Sequence, residues 1–265
     1  MNGKFRLKLN CILLIAVLIF SACIVVACNN DEPYNPYAHN NNFDVKMTEC
    51  EDALEFSPIG FTPSYGVVFY VGVVENPEHY TYLGNALAKQ GYLVAISNVR
   101  NINQDNYNPN ISTLTKYQNV KFFVGGHDIG GGLAVRHAMD YAKHDYKVEG
   151  VILYAPNSFS KQMKDENGQL VLDEKNNPIE EHFSIEHLNI YTLLLEVDDV
   201  LRTADSKQTT KEHINNSVTT CYEMENTSSL YFSTRVSSAE TDENAIAQRE
   251  NTVDYTLEFL RQLSK

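Results

Sequence analysis

The chain has 265 residues, with 21 lysines and arginines against 34 aspartates and glutamates and a formal net charge of −13. Nucleic acid and anionic lipid are also negatively charged, so they are expected to repel such an acidic chain, and no nucleic-acid partner is predicted. The sequence contains no Cys-x-x-Cys or His-Glu-x-x-His pattern, so it indicates no metal site, and no cofactor is predicted.

Residues 1–27 are predicted to be a secretory signal peptide. Positive charges at residues 4–8 precede an almost unbroken apolar stretch over residues 11–26, and small residues then lead into Cys28. The pattern "VVAC" is typical of a bacterial lipobox, in which the cysteine is lipidated and becomes the mature N-terminus. Cys23 is a second candidate, and an uncleaved anchor helix is the alternative. Both interpretations place the protein at a membrane surface outside the cytoplasm.

The polar segment over residues 28–44 is predicted to be a tether, and residues 45–265 form one domain that is long enough for a complete core. Loss of the signal peptide removes three positive charges and changes the net charge from −13 to −16. Cys50 and Cys221 remain in the domain. They either pair in an oxidising compartment or stay as separate buried thiols.

Short apolar runs alternate with helical periodicity through this domain. The predicted strands lie at 65–72, 92–97, 119–126, 148–156, 189–197 and, from a weaker pattern, 217–225. The helices are predicted to begin at Asn76-Pro77, at about Gly130 and at about Ala245. This alternation is typical of an α/β protein with a mostly parallel sheet and helices on both faces. No internal repeat is expected after the tether.

Residues 157–187 interrupt the alternation with a polar segment, in which Asn167-Gly168 predicts a small hairpin. The segment follows a strand, on the side where such sheets carry functional loops. It is either a short lid over a site or a solvated excursion without a role.

The stretch Gly126-His127-Asp128-Ile129-Gly130 connects a predicted strand to a predicted helix. Its spacing, with glycines two residues before and after Asp128, is typical of a nucleophile elbow, where the middle residue occupies a strained turn. The backbone N–H of Ile129 would then face negative charge that develops at the site. The alternative is a glycine-rich turn with a capping aspartate.

With this turn in place, the chain resembles the alpha/beta-hydrolase superfamily over roughly residues 50–263. It is most similar to the family 5, dienelactone-hydrolase-like branch, through "GVVFYVGVVENPEHYTYLGNALAKQGYLVAIS", "KFFVGGHDIGGGLAVRHA" and "NIYTLLLEVDDVLRT". The resemblance implies an alpha/beta-hydrolase fold with a short lid insertion. Where the family has a Tyr-Pro-Gly-Gly oxyanion loop, this chain has Tyr70-Val71-Gly72-Val73, so the implied second oxyanion donor is the N–H of Val73.

The resemblance also implies the positions of the other triad members. Asp199, in "EVDDVLRT", stands where the family has its acid, although Asp198 and Asp199 would also suit a helix N-cap. The family histidine follows the last strand, but here Ser228 occupies that position, and no histidine follows His213. Serine cannot act as a base near neutral pH as imidazole can.

An aspartate elbow also occurs in haloalkane dehalogenases and epoxide hydrolases, where the carboxylate attacks carbon and forms an ester. Dehalogenases hold the leaving halide with tryptophans, and this chain has none. Epoxide hydrolases use lid tyrosines, and residues 155–187 contain none. Both need the late histidine to release the product. Of the remaining histidines, His182 and His187 flank the insertion and could approach the site.

Two hypotheses follow from the sequence. In the first, the protein is a hydrolase-fold relative with a degenerate triad that binds a small ligand or a partner in the elbow pocket. In the second, it is an active extracytoplasmic hydrolase for an ester or similar small substrate, with Asp128 as the nucleophile and an unconventional base. A histidine beside Asp128 would favour the second.

Overall fold

The structure is a computed structural model, and it describes residues 35–38, 40–72, 75–97, 111–143, 148–198, 202–214, 218–235 and 241–265. Contacts divide the chain into two units, Met1–Pro36 and Tyr37–Lys265. Only Asn35 and Pro36 of the first unit are described, so the signal peptide and Cys28 lie outside the described residues. The second unit contains the fold and the site.

An eight-stranded sheet forms the centre of this unit, in the order β1-β2-β4-β3-β5-β6-β9-β10. Its strands are β1 Val45–Glu49, β2 Ala53–Pro58, β3 Tyr65–Tyr70, β4 Leu93–Ser97, β5 Lys121–His127, β6 Val151–Tyr154, β9 Thr192–Val197 and β10 Thr219–Met224. Strand β2 is antiparallel to both of its neighbours, and the six strands from β4 to β10 in this order are parallel. This arrangement confirms the predicted α/β class, although the β1–β2 hairpin was not predicted.

The central strands are apolar on both faces because helices cover both sides of the sheet. In β3, Val67 and Phe69 belong to one apolar cluster, whereas Val68 and Tyr70 belong to the other. All four side chains are at most 1% exposed. Two apolar core layers, one on each face, therefore fix the central strands, and the site lies at the carboxyl ends of these strands.

Five α-helices are described: α1 Thr81–Lys89, α2 Ser112–Lys116, α3 Ile129–Lys143, α4 Ala204–Ile214 and α5 Glu243–Leu263. Helices α1 and α5 pack on one apolar cluster and α3 on the other. The predicted start at Asn76-Pro77 is a 3-10 turn, Pro77–Tyr80, that continues into α1. Helix α5 begins two residues before its predicted start, because Asp242 accepts hydrogen bonds from the N–H groups of Asn244 and Ala245.

The end of the predicted tether packs on the domain. Tyr37 is buried, and its hydroxyl accepts hydrogen bonds from the backbone N–H of Ser64 at 2.8 Å and of Tyr65 at 3.2 Å. Asn41 and Gln90 exchange further hydrogen bonds. The compact unit thus begins at Tyr37, ahead of the boundary that the sequence predicted at residue 45.

The polar insertion contains a short hairpin of β7 Ser160–Gln162 and β8 Glu180–His182. Between these strands lie two turns of the same construction, eight residues apart. Asp165 Oδ1 accepts from the N–H of the second and fourth residues after it, and Asp173 Oδ1 does the same. Gly168 and Asn176 occupy equivalent left-handed positions, with φ of 78° and 63°. "KDENGQLV" and "LDEKNNPI" thus form two turns of the same geometry, although their aligned sequences share only Asp-Glu.

Within the described residues, no helix is long and apolar enough to cross a membrane. Cys50, partly buried, and Cys221, exposed, are both free thiols rather than a disulfide. In the same part of the chain, no group of three or more histidine, cysteine, aspartate or glutamate side chains could hold a metal ion.

Candidate functional site

Asp128 is the single residue that connects the end of β5 to the first residue of α3, and its φ is positive, at 56°. A non-glycine residue in this left-handed region is strained by on the order of 1 kcal/mol or more. Backbone hydrogen bonds hold it there: its N–H donates to Tyr154 O at 3.1 Å, and its carbonyl accepts from Gly131 and Asn157, both at 3.0 Å. The turn has the geometry of an elbow that presents its middle side chain.

The two glycines that flank the turn are required by close backbone approach. A Cβ on Gly126 would lie 2.1 Å from Gly130 O, and a Cβ on Gly130 would lie 2.2 Å from Tyr70 O. No side chain fits at these distances without movement of the backbone. The spacing that marked the elbow in the sequence therefore has a direct steric cause.

The side chain of Asp128 faces a cavity of about 360 Å³. Its lining residues are Gly72, Glu75, His127, Asp128, Ala155, Asn157, Arg202, Ser229, Leu230 and Arg235. The amide of Asn157 donates to Asp128 Oδ1. Of the insertion over residues 157–187, Asn157 is the one described residue in this lining. The cavity is polar and contains charges of both signs.

His127, which precedes Asp128 in the predicted elbow, is buried in the cavity wall. Its Nδ1 lies 2.7 Å from the hydroxyl of Tyr80, and its ring packs on Phe232. Burial lowers the pKa of His127, against the opposing influence of Asp128, Glu75 and a backbone hydrogen bond with Ser229. The imidazole is therefore neutral near pH 7 and forms a wall of the cavity.

Glu75 is a cavity residue that the sequence analysis did not identify. Its side chain is 5% exposed, and Oε2 lies 2.6 Å from His79 Nδ1. The other oxygen, Oε1, lies 4.0 Å from Arg235 Nη1, which is too long for a hydrogen bond. The only sequence signal was an acid between an apolar strand and the helix start at Asn76. The predicted oxyanion donor of this loop, Val73, lies outside the described residues.

Arg202 and Glu196 form a buried ion pair at the base of the cavity. Arg202 donates from Nε to Glu196 Oε1 at 3.1 Å and from Nη2 to Oε2 at 2.6 Å. Its remaining contacts are the Pro156 carbonyl at 2.8 Å and Thr210 Oγ1 at 3.1 Å. The side chains are 4% and 1% exposed. Four of the five guanidinium N–H groups therefore bond within the protein.

The predicted acid, Asp199, lies outside the described residues. Its neighbour Asp198 is described and points to solvent, with a side chain that is 86% exposed and 3.9 Å from Lys207 Nζ. The N-terminal residues of α4 are capped instead by Thr203, whose Oγ1 accepts from the N–H of Ser206 at 3.2 Å. Asp198 therefore does not cap α4, which was the role that the sequence suggested for it.

Ser228, the predicted position of the missing histidine, has a structural role. It is the N-cap of a 3-10 turn, Ser229–Phe232, and its side chain accepts from the N–H of Leu230. Its neighbour Ser229 is buried and lines the cavity. The loop after β10 therefore reaches the cavity through Ser229, one residue beyond the predicted position, because the turn directs Ser228 away.

The other described histidines lie elsewhere than in the cavity lining. His137 is buried, with Nδ1 2.7 Å from the Tyr70 hydroxyl. His213 bonds to the carbonyl of Phe183, and His182 stacks on its ring. His187 is exposed and pairs with Glu186. Neither flanking histidine of the insertion is beside Asp128, and His144 lies outside the described residues.

The sequence model of the alpha/beta hydrolase family matches residues 66–251. No curated protein gives a significant match to the sequence. Among solved structures, the chain is similar to a predicted CIB-like hydrolase from Thermoplasma acidophilum, with a TM-score of 0.54 and 14% identity over 83% of this chain and 99% of that one. A protein from Thermus thermophilus gives a TM-score of 0.53 and 13% identity over 84% and 99% of the two chains.

A soluble variant of the monoglyceride lipase from Saccharomyces cerevisiae is also similar in structure. It gives a TM-score of 0.51 and 11% identity, over 88% of this chain and 98% of that one. Identities this low relate the chains by fold. The comparisons confirm the alpha/beta-hydrolase fold that the sequence predicted.

Proposed function

Because the chain belongs to the alpha/beta hydrolase family, we propose that it is a membrane-anchored binding protein of that family with a degenerate triad. Its elbow cavity holds a small ligand, and hydrolytic turnover is absent or weak. The fold and the elbow are those of a hydrolase, and the charged cavity provides the means of binding.

One observation carries this proposal: where the loop after β10 reaches the cavity, it places Ser229 there rather than a histidine. A serine hydroxyl cannot take a proton from a nucleophile or activate water near neutral pH. In the sequence no histidine follows His213. The buried His127, held by Tyr80, is neutral but belongs to the cavity wall. Asp128 is thus presented without the base that this family uses for turnover.

Binding is tested by blocking the cavity. A Cβ on Gly72 would lie 3.3 Å from Glu75 Cγ, 3.3 Å from His127 Nδ1 and 3.4 Å from Asp128 Cβ, so a larger side chain at Gly72 fills the space between them. A panel of polar fragments is expected to raise the melting temperature of the wild-type chain but not that of Gly72→Leu. Equal shifts in both proteins would place binding elsewhere and reject the proposal.

Anchoring at the extracytoplasmic face of the membrane is proposed from the N-terminal sequence, with Cys28 as the lipidated residue. Cells expressing the full chain would be labelled with a palmitate analogue and fractionated. We expect label and membrane association in the wild type and their loss in Cys28→Ala. Cys23→Ala is the matched control and should keep both. Loss of label and membrane association in Cys23→Ala but not in Cys28→Ala would show that Cys23 is the lipidated residue.

The second candidate function is hydrolysis with Asp128 as the nucleophile. The observation that favours it is Glu75, a buried carboxylate in the same cavity with one oxygen paired to His79. In this reaction Asp128 attacks the substrate carbon and displaces the leaving group. Water, deprotonated by Glu75, then cleaves the resulting ester. In ¹⁸O-labelled water, multiple turnovers would place the label in Asp128 and in product, and Glu75→Gln would retain an ester adduct.

A further inference from the structure

We propose that the cavity recognises a protonated primary amine, held between the carboxylates of Glu75 and Asp128. This inference rests on the proposed function, because it specifies the chemical class of the ligand in the same cavity. It follows from how the charges of the lining residues are distributed and from which of these charges are already paired with other residues of the protein.

The methylene groups of the Glu75 and Asp128 side chains border the same point of the cavity wall, beside Gly72. The position of a Cβ on Gly72 lies 3.3 Å from Glu75 Cγ and 3.4 Å from Asp128 Cβ. Because Gly72 has no side chain, this side of the cavity is not filled by the protein. Both carboxylates belong to the lining of one cavity, so a cation bound there is attracted by both.

Each carboxylate is held at one oxygen by the protein. Glu75 Oε2 pairs with His79, and Asp128 Oδ1 accepts from Asn157. Glu75 is nine-tenths buried, and its Oε1 is 4.0 Å from its nearest charged neighbour among the described residues. A buried carboxylate oxygen gains most from a charge-assisted hydrogen bond, at about 2.7–2.9 Å from the donor nitrogen. Oε1 is in position to accept one from a ligand.

The positive groups of the lining do not balance these two acids. Arg202 is neutralised by Glu196 and makes its hydrogen bonds within the protein. Arg235 remains, at the rim, with a side chain that is 46% exposed. His127 is neutral, since burial lowers its pKa. Among the described lining residues, Arg235 is thus the one cation available to two acids, and His79, which pairs with Glu75, adds a positive charge only when it is protonated.

A primary ammonium group fits this arrangement. It is a compact cation with three donors, so it can bridge Glu75 and Asp128 and keep one donor for a third acceptor. A cavity of about 360 Å³ takes a small molecule. The ammonium could belong to a simple amine or to an amino acid. Arg235 distinguishes the two sources, because its guanidinium would pair with the carboxylate of an amino acid.

The test is isothermal titration of the full-length chain in detergent at pH 7, with four probes of equal chain length: n-butylamine, n-butanol, butyrate and 4-aminobutyrate. We expect n-butylamine to bind at least about tenfold more tightly than n-butanol, because only the amine is charged. Glu75→Gln and Asp128→Asn should each weaken amine binding by a similar factor. The matched control is Asp254→Asn, which removes an exposed acid of α5 and should leave binding unchanged.

The source of the amine is decided with Arg235→Gln. If the ligand is an amino acid, 4-aminobutyrate binds more tightly than n-butylamine and loses that advantage in this variant. If it is a simple amine, n-butylamine binds more tightly and the variant does not weaken it. Equal binding of n-butylamine and n-butanol, or strongest binding by butyrate, would overturn the amine assignment. Fragment binding that Gly72→Leu still abolishes would then leave the proposed binding function intact.

Discussion

The side-chain amide of Gln248 holds the backbone of Ser228 from both sides. Oε1 accepts from the Ser228 N–H at 3.0 Å, and Nε2 donates to the Ser228 carbonyl at 2.9 Å. Gln248 lies on α5 and is buried, so this helix fixes the loop that follows β10. The fixed loop presents Ser229 to the cavity.

This relationship predicts that a triad can be rebuilt. Asp128→Ser combined with Ser229→His supplies a hydroxyl nucleophile and an imidazole that reaches the cavity. A general base contributes roughly 10²–10⁴-fold, and even with imperfect geometry we expect p-nitrophenyl acetate hydrolysis at least about tenfold faster than in Asp128→Ser alone. The matched control is Asp128→Ser with Ser228→His, whose imidazole is directed away. Equal rates in the two double variants would contradict the placement of Ser229.

Alanine at the elbow glycine Gly126 is predicted to destabilise the fold strongly. Its Cβ would lie 2.1 Å from a backbone carbonyl that cannot move independently of α3. Clashes of this kind cost about 3 kcal/mol or more in free energy of unfolding. Gly168→Ala is the control, since the space around it is open and only its φ of 78° is unfavourable, and it should cost about 1 kcal/mol. Urea denaturation measures the free energy of unfolding of both variants. Similar losses of stability would show that the close approach of the Gly130 carbonyl is not the reason for glycine at position 126.

Loss of one partner of the Glu196–Arg202 ion pair is predicted to destabilise the fold strongly, and replacement of both partners by apolar residues is predicted to destabilise it less than the single variants would suggest. Glu196→Gln leaves a buried guanidinium without its counter-charge, and breaking a buried ion pair costs about 3–5 kcal/mol. Glu196→Leu with Arg202→Met removes both charges and should cost less than the sum of its single variants. Asp198→Asn, which removes the exposed carboxylate that pairs with Lys207, is expected to change stability by less than about 1 kcal/mol. Additive losses in the double variant would show that the two charges are independent.

Acid is predicted to destabilise the protein through His137. Burial lowers the pKa of His137 to about 3, so the folded state keeps it neutral while the unfolded state binds a proton below its ordinary pKa of 6.5. Stability therefore falls as the pH decreases from about 6.5 towards 3, by up to about 1.4 kcal/mol per pH unit for this one proton.

His137→Phe removes this titration and should flatten the pH dependence of the free energy of unfolding between pH 6 and 4. His187→Gln, at an exposed position, should leave the slope unchanged. Urea denaturation at several pH values gives the slopes. A slope in His137→Phe equal to that of the wild type would mean that the buried imidazole does not contribute.

The parallel part of the fold was predictable because each buried strand is a continuous apolar run with a turn signal after it. Strand β5 and helix α3 show this best, since the glycines between them mark the junction in the sequence. The β1–β2 hairpin was missed because β1 is largely exposed and lacks an apolar run. The first turn of the insertion was predictable from Asn167-Gly168, whereas the second was missed because Asn176 takes the left-handed position that glycine has in the first.

The elbow was predictable because its geometry depends on local glycines around Asp128. Glu75, Arg202 and Arg235 were not, because they follow three different strands and meet only when the sheet assembles. Nothing in the sequence alone distinguishes such residues from solvated charges. The sequence pointed to Ser228, whereas the cavity is lined by the next residue, Ser229. The sequence could not show this shift, because a 3-10 turn begins at Ser229 and short turns leave little periodic signal.

The central claim, that Asp128 is presented without a base for turnover, is tested most directly by intact mass and product release together. The chain over residues 29–265 would be incubated with short acyl esters, epoxides and haloalkanes at pH 7. We expect product release at the buffer rate, and at most one stable adduct, on Asp128, that is absent in Asp128→Asn. Repeated turnover of any probe that is abolished by Asp128→Asn would contradict the claim and establish a working hydrolase.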